Sequence, residues 1–369
     1  MYIGVVNTET MKEQRIFLVL LIFTVSFLLT YYINLINYLR TSGHGHENNV
    51  KYILYWTQMF SRKDFYLGFG RDIFQNCSVK NCFTTNNRTL LPVENFDAIL
   101  FHGVEYNIEK HGRPHKRNNH QVYVYSNKES PVYTWIHSEF KDFFNWTMTY
   151  RKDSDIIHNY GGFLKTTRKY TLPTKNDVIN RTRKIAWFVS RCDAQSKRQK
   201  LVTEMQKYME IDIFGKCGNL SCPRSKSDDC YKLLDKDYKF YLSFENSYCK
   251  EYTTEKLFNI LERNIVPIVY GHNNYLEIAP PRSVIDVCDY KNVSSLMQYL
   301  KYLDENVEEY LKYFEWKKNF EVQKPSPLCE LCKKLNEPSV QKVYGNINEW
   351  WRGVKNNMCE QLPEIVRSL

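Results

Sequence analysis

Strand-like apolar runs that alternate with amphipathic helical stretches constrain this chain more than any other feature of its sequence. From residue 184 onward the pattern predicts strands at 184–190, 211–214, 239–244, 265–269 and 284–287, with helices at 196–209, 253–263, 293–303 and 307–320. Strands separated by such helices run parallel, because the helix returns the chain across one face of the sheet. Shorter runs at 52–56, 98–101, 122–125 and 146–150 repeat the theme in the first half. Residues 166–183 are polar and basic, contain Pro173 and lack an apolar period, so they read as a linker. The expected fold is therefore α/β, with two doubly wound, Rossmann-like halves, 51–165 and 184–325, facing a cleft at their strand carboxyl ends. Residues 326–369 form a C-terminal segment that carries a Cys-x-x-Cys.

A second feature lies at the N-terminus. Residues 16–39 carry no charge and residues 16–33 are almost wholly apolar. At 1.5 Å per helical residue, such a run crosses about 30 Å of hydrocarbon. A cleaved signal peptide would be shorter and end in small residues, whereas Tyr31-Tyr32-Ile33-Asn34-Leu35 stands here. The reading is a signal-anchor helix at 16–39, with a tail at 1–15, a polar stem at 40–50 and the working part on the C-terminal side. Lys12 and Arg15 before the span face Arg40 and Lys51 after it, so charge alone leaves the orientation open.

Cysteines and sequons indicate the compartment. All eleven Cys lie beyond residue 75, and six Asn-x-Ser/Thr sequons occur, at Asn76, Asn87, Asn145, Asn180, Asn219 and Asn292. Together they favour a lumenal or extracellular domain. There, Cys329-x-x-Cys332 reads as half of two disulfides, with Cys77 and Cys82 as plausible partners, rather than half of a zinc ribbon, since no second Cys-x-x-Cys exists. Cys217, Cys222, Cys230 and Cys249 read as one or two further disulfides, and the odd total leaves at least one thiol over. The net charge of +10 is scattered without a basic arm, which argues against nucleic acid and leaves an anionic small substrate open.

The stretch from Tyr238 to Gly271 carries the most chemistry. An apolar strand ends at Phe244-Glu245-Asn246-Ser247, and a helix is expected to open near Tyr252 with Tyr252, Glu255, Lys256 and Asn259 on one face. A strand end, a polar turn and a helix N-terminus with an early Lys suit a phosphate. On spacing alone, an ordinary amphipathic helix with solvated charges explains the same residues.

The segment FYLSFENSYCKEYTTEKLFN resembles the hallmark of the α1,3-fucosyltransferases, glycosyltransferase family 10. Lys128-Glu129-Ser130-Pro131 resembles that family's E-S-P element, Asn145–Ile156 its N-W-T/S-x-x-Y-R-x-D-S-D-I/V element, and Trp187–Arg198 its W-V-V-S-x7-R element. The resemblance spans roughly residues 50 to 335. It implies a GT-B architecture with an acceptor half first and a GDP-fucose half second, and a type II Golgi membrane topology. It also implies inverting transfer of L-fucose from GDP-fucose to O3 of an N-acetylglucosamine in a glycoprotein N-glycan. Glu129 matches the general base. Ser190, Arg198, Asn246, Tyr252, Glu255 and Lys256 match donor-binding positions. No metal or cofactor is required, although a divalent cation could stimulate by screening phosphate. Glu251 stands where the family usually has Asp, and Asn159-Tyr160-Gly161 replaces the usual Pro-Tyr-Gly.

Two rivals remain at this point. Asp153-Ser154-Asp155 and Asp235-Lys236-Asp237 are D-x-D sequences, the pattern by which metal-dependent glycosyltransferases hold a nucleotide diphosphate. The chain could also be an inactive lumenal relative that binds glycans or proteins. The GKCG…CPRS segment leans towards invertebrate enzymes of the N-glycan core, and oligomeric state is left open.

Overall fold

A computed structural model describes residues 24–33, 50–223, 225, 227–338, 342–359 and 361–369. It divides into two units, 1–50 and 51–369. In the first, residues 24–33 are helical and exposed. Among the described residues no helix is long and apolar enough to cross a membrane. The rest of the span expected at 16–39 lies outside the described residues, as do the tail at 1–15 and all of the stem at 40–50 except Val50.

The second unit is built on two parallel sheets. The first contains β1 (Lys51–Tyr55), β2 (Cys82–Thr85), β3 (Ala98–His102), β4 (Val122–Asn127), β5 (Trp146–Thr149) and β6 (Ile156–Ile157), in the order β2-β1-β3-β4-β5-β6. After β7 (Gly162–Lys165), the second sheet contains β8 (Arg183–Phe188), β9 (Ile211–Phe214), β10 (Tyr238–Phe244), β11 (Val266–Tyr270) and β12 (Ile285–Asp286), in the order β12-β11-β10-β8-β9. β13 (Phe320–Gln323) pairs with β7 in a separate antiparallel ribbon. The helices that matter below are α1 (Arg198–Met205), α2 (Ser227–Asp237), α3 (Glu255–Leu261), α4 (Val293–Glu305), α5 (Pro327–Asn336) and α6 (Ile347–Arg352).

Both sheets are apolar on both faces, as parallel sheets flanked by helices must be. Every residue of β3, β10 and β11 is buried. In the first sheet Leu54, Ile99, Phe101 and Tyr123 face one cluster, while Ile53, Leu100, Val124 and Met148 face the other. In the second, α1 and α4 cover one face through Leu201, Met205, Leu296 and Leu300, and Leu234 of α2 lies in the cluster on the other.

Several elements were absent from the sequence reading. β2, β6, β7 and β13 are two to four residues long, too short to show a period, and β7 and β13 are half-exposed. The expected linker contains a helix, Lys175–Ile179, started by a Thr174–Asp177 capping box and anchored by fully buried Val178. The helix expected at 307–320 is α-helical only over Val307–Leu311 and tightens to a 3-10 helix over Lys312–Lys318.

The C-terminal segment returns to the first sheet. Leu328 and Leu331 of α5 join one face and Ile347 and Trp351 of α6 the other, after which Ile365 and Val366 pack on the second sheet. Three disulfides fasten this path: Cys77–Cys329, Cys82–Cys332 and Cys249–Cys359. Cys192–Cys217 and Cys222–Cys230 brace loops of the second half, and Cys288 is free. Asn76, Asn87, Asn180, Asn219 and Asn292 are exposed. Asn145 is instead structural: its Oδ1 accepts from the Tyr123 amide at 2.8 Å, its Nδ2 donates to the Lys342 carbonyl at 2.8 Å, and Thr147 of the same sequon is fully buried.

Cys77–Cys329 and Cys82–Cys332 close loops with sequence separations of 252 and 250 residues. Replacing either pair with Ser should cost ~2–4 kcal/mol by releasing the unfolded chain. That should lower the thermal midpoint by about 3–6 °C. Calorimetry on residues 50–369 measures the shift, and an unchanged midpoint would contradict these bonds.

Candidate active site

The carboxyl end of β4 and that of β10 meet directly. Asn127, fully buried at the end of β4, accepts the Glu129 amide on its side-chain oxygen at 2.9 Å and so turns the chain out of the sheet. Pro131 then opens a short 3-10 turn, and Arg352 from α6 donates to the Pro131 carbonyl. Across the cleft, Ser130 Oγ lies 2.6 Å from Ser247 Oγ. The Arg191 guanidinium stacks 4.0 Å from the Tyr133 ring centroid, and the Gln195 amide donates to the Tyr133 hydroxyl at 3.3 Å. The two motifs singled out in the sequence thus form one polar seam.

Glu129 projects from that seam. Its carboxylate makes no hydrogen bond among the described residues and is neither fully buried nor exposed. Burial raises its pKa above the usual glutamate range; Lys256, Arg191 and His102 pull it down, and Glu255 pushes it further up.

A second cluster, at the N-terminus of α3, centres on Glu245, to which the sequence assigns no role. Glu245 is 1% exposed, accepts the Thr254 amide at 2.8 Å and lies 3.2 Å from Lys256 Nζ. Thr254 caps α3, and Lys256 Nζ also donates to Thr254 Oγ1 at 2.8 Å and to Glu255 at 3.3 Å. Burial would lower the Lys256 pKa, but Glu245 and Glu255 outweigh it and raise the pKa. Glu255 is pushed up by burial, yet Lys256, the α3 amide end and Thr254 hold it low.

Other expected residues occupy different roles. Tyr252 precedes α3 rather than sharing its face: the helix begins at Glu255, and Tyr252 is buried with its ring 5.2 Å from that of Tyr150. The left-handed backbone at Glu251 (φ 61°) ends any continuous helix there. Arg198 is the first residue of α1 and 3% exposed; it donates to the carbonyls of Phe244 at 2.6 Å and Arg191 at 3.3 Å, while its Nε has no partner. It braces the end of β10 and stands within electrostatic reach of Glu245. Asn246 accepts from Ser247 Oγ at 3.1 Å, and Ser190 is exposed just beyond β8.

Both D-x-D sequences serve packing. Asp153 is paired with Arg151 at 2.6 Å; Asp155 accepts from the Thr147 amide, the Tyr344 hydroxyl and Lys342. Asp235 accepts from Arg263 and the Asn264 amide. Among the described residues no group of three or more His, Cys, Asp or Glu converges as a metal site.

Beside the seam lies a cavity of about 650 Å3 lined by Tyr150, Asn159, Phe163, Thr253, Phe258 and Asn273, among others. Tyr150 OH, Asn159 Oδ1, Thr253 Oγ1 and Asn273 Oδ1 are buried there without a partner. The Asn159-Tyr160-Gly161 turn closes one side: Tyr160 OH donates to the Lys128 carbonyl at 2.7 Å, and Gly161 lies against Phe258 of α3.

Comparison with known proteins agrees with this geometry. Residues 178–350 match the family description "Glycosyltransferase family 10 (fucosyltransferase) C-term", and residues 48–161 match "Fucosyltransferase, N-terminal". The chain belongs to glycosyltransferase family 10, the fucosyltransferases. It is 36% identical to Drosophila melanogaster alpha-(1,3)-fucosyltransferase C over 345 residues, covering 85% of this chain and 81% of that protein. It is 41% identical to D. melanogaster glycoprotein 3-alpha-L-fucosyltransferase A over 296 residues, covering 77% of this chain and 57% of that protein. Caenorhabditis elegans alpha-(1,3)-fucosyltransferase fut-5 is 33% identical over 340 residues, covering 85% and 88%. A crystal structure of an alpha1,3-fucosyltransferase shares the fold with a TM-score of 0.55 at 17% identity, covering 82% of this chain and 94% of that one.

A Cβ at Gly161 would lie 2.4 Å from the Phe258 ring. Gly161→Ala should therefore push α3 and its Lys256 away from Glu129, lowering fucosyl transfer by ~10-fold or more. Adding Phe258→Leu should restore part of that loss. Steady-state rates of the single and double variants measure it; wild-type turnover in Gly161→Ala would contradict the close approach.

Proposed function

We propose that the chain transfers L-fucose from GDP-fucose to O3 of an N-acetylglucosamine residue in a glycoprotein N-glycan, forming an α1,3 linkage with inversion. The observation that carries this reading is the unpaired, pKa-raised carboxylate of Glu129 across the cleft from the Glu245–Lys256–Glu255 cluster at the α3 N-terminus. The relatives' names point to the same linkage, and one structural neighbour was solved with GDP-fucose.

The chemistry follows from the charges. Glu129 removes the proton of the acceptor hydroxyl as that oxygen attacks C1 of fucose from the face opposite the phosphate. The C1–O bond breaks, and GDP leaves with the electron pair and an added negative charge. Lys256 and the Nε of Arg198 stabilise that charge, with the α3 amide end contributing a fixed partial charge. Ser190, Asn246, Tyr252 and Glu255 complete the donor-binding set. The reading needs no metal, and a divalent cation acts at most as a stimulant. Residues 51–165 take the acceptor and residues 184–325 the donor.

The same reading makes residues 16–39 the anchor of a type II Golgi membrane protein with its catalytic unit in the lumen. The uncharged apolar run and five disulfides support it. The acceptor is assigned to the N-glycan core on the invertebrate likeness of the sequence.

The test is incubation of residues 41–369 with GDP-fucose and core or antennal N-glycan acceptors, reading fucosylated product by mass spectrometry and anomeric configuration by NMR. GDP release without fucosylated glycan would reject the assignment. Glu129→Gln should lower kcat by ~10²-fold while GDP affinity stays near wild type. Because the base works deprotonated and burial raises its pKa, turnover should fall with decreasing pH through a value above the ordinary glutamate range. A wild-type rate in Glu129→Gln would move the base elsewhere.

A further inference from the structure

The cations around the cleft differ in how fully they are already neutralised. Lys256 has carboxylates at 3.2 and 3.3 Å. Arg198 is committed to two carbonyls and Arg191 to the Tyr133 ring. Lys128, next in sequence to the proposed base, is held as lightly as Arg191 but follows β4 of the first sheet. Its Nζ lies 4.0 Å from the Tyr160 ring centroid and makes one long hydrogen bond, 3.4 Å, to the Asn159 carbonyl. No carboxylate pairs with it among the described residues. The charged or titratable groups that face it are Glu255 from α3 and Tyr160 and His158 from the turn after β6. An ammonium withdrawn from water without a counter-ion is costly unless an anion arrives to complete it.

We infer that Lys128 is a donor-contacting residue, delivered by the first sheet, whose ammonium meets an anionic oxygen of the donor diphosphate opposite Glu255 and Lys256. The inference rests on the GDP-fucose reading, since it requires a diphosphate in the cleft. Placed there, Lys128 binds the ground-state diphosphate and is felt more strongly as GDP departs with added charge. It also explains why Tyr160 is fixed: the hydroxyl holds the Lys128 carbonyl at 2.7 Å while the ring supports the ammonium.

The position has a thermodynamic signature. Burial lowers the Lys128 pKa to about 8, with Glu255 the opposing influence. A bound diphosphate favours the protonated form and raises that pKa, so GDP binding above pH 8 must draw a proton from solution. Affinity therefore declines as pH rises through the free-state value.

The experiment is calorimetric titration of the full chain, in detergent, with GDP at pH 8.5 in two buffers of different ionisation heat. The wild type should take up a substantial fraction of one proton. Lys128→Met fills the same space over Tyr160 without charge; it should abolish that uptake and weaken GDP binding ~10-fold or more. Lys128→Arg stays protonated, so it should bind GDP with no uptake and no decline above pH 8. Equal proton uptake in Lys128→Met, or unchanged GDP affinity with an unaltered thermal midpoint, would overturn the inference. So would a variant in which only the acceptor KM rises. Tight GDP binding by a wild type that transfers no fucose would instead defeat the proposed function and leave Lys128 to be judged on the binding data.

Discussion

Two parallel sheets, each apolar on both faces, set the terms for everything else in this protein. A parallel sheet has no face it can leave to water, so four surfaces must be covered. The second sheet covers its own with the helices that return its strands. The first is covered only in part by its own connections, through Phe65 and Phe74 on one face and Phe96, Tyr106 and Phe140 on the other. The closure of both faces is completed by α5 and α6 from the far end of the chain. That debt to distant sequence brings Arg352 onto the Pro131 carbonyl, Arg151 onto the backbone of α6, and Trp351 beneath Tyr125 and Tyr150. The loop bearing Glu129 is therefore supported from below by residues more than two hundred positions away.

The polar seam above those cores is compact for its charge. Glu245 is almost fully buried, which is tolerable because Lys256, the Thr254 amide and the Thr254 hydroxyl all converge on it. Removing Lys256 would strand a buried carboxylate as well as remove a phosphate partner, so a kinetic defect at Lys256 mixes two effects. Glu129 and Lys128 carry no such mutual compensation, and both stand ready for a ligand from the first half of the chain.

Much of this was legible beforehand. Strands 211–214 and 122–125 were recognisable because β-branched and aromatic residues cluster between polar turns, and β10 because its apolar run is unbroken. The hallmark residues Glu245, Glu255 and Lys256 do come together, but not with the helical geometry expected of them. Tyr252 follows the helical period with Glu255 and Asn259, yet the left-handed residue at Glu251 and the cap at Thr254 start the helix three residues later. For Arg198 nothing in the sequence hinted that it would also donate to two main-chain carbonyls while leaving its Nε without a partner. Glu245 was overlooked because a carboxylate at a strand end looks solvated until Thr254 and Lys256 fold over it. The β7–β13 ribbon, with Gly162 and Gln323 so far apart in sequence, left no local signal at all.

The path of the C-terminal segment also governs how the chain must mature. A ribosome delivers the first sheet long before the residues that cover it, so β1 to β6 pass through synthesis with both faces incompletely shielded. Cys77 and Cys82 wait as thiols until Cys329 and Cys332 emerge, and Cys249 waits until Cys359. Closure of these three bonds is thus a late event in synthesis, whereas Cys192–Cys217 and Cys222–Cys230 span only 25 and 8 residues and can close earlier. A stop codon or frameshift near the end, although far from Glu129 in sequence, removes part of the cover of the first sheet and so strikes the fold rather than merely shortening the enzyme.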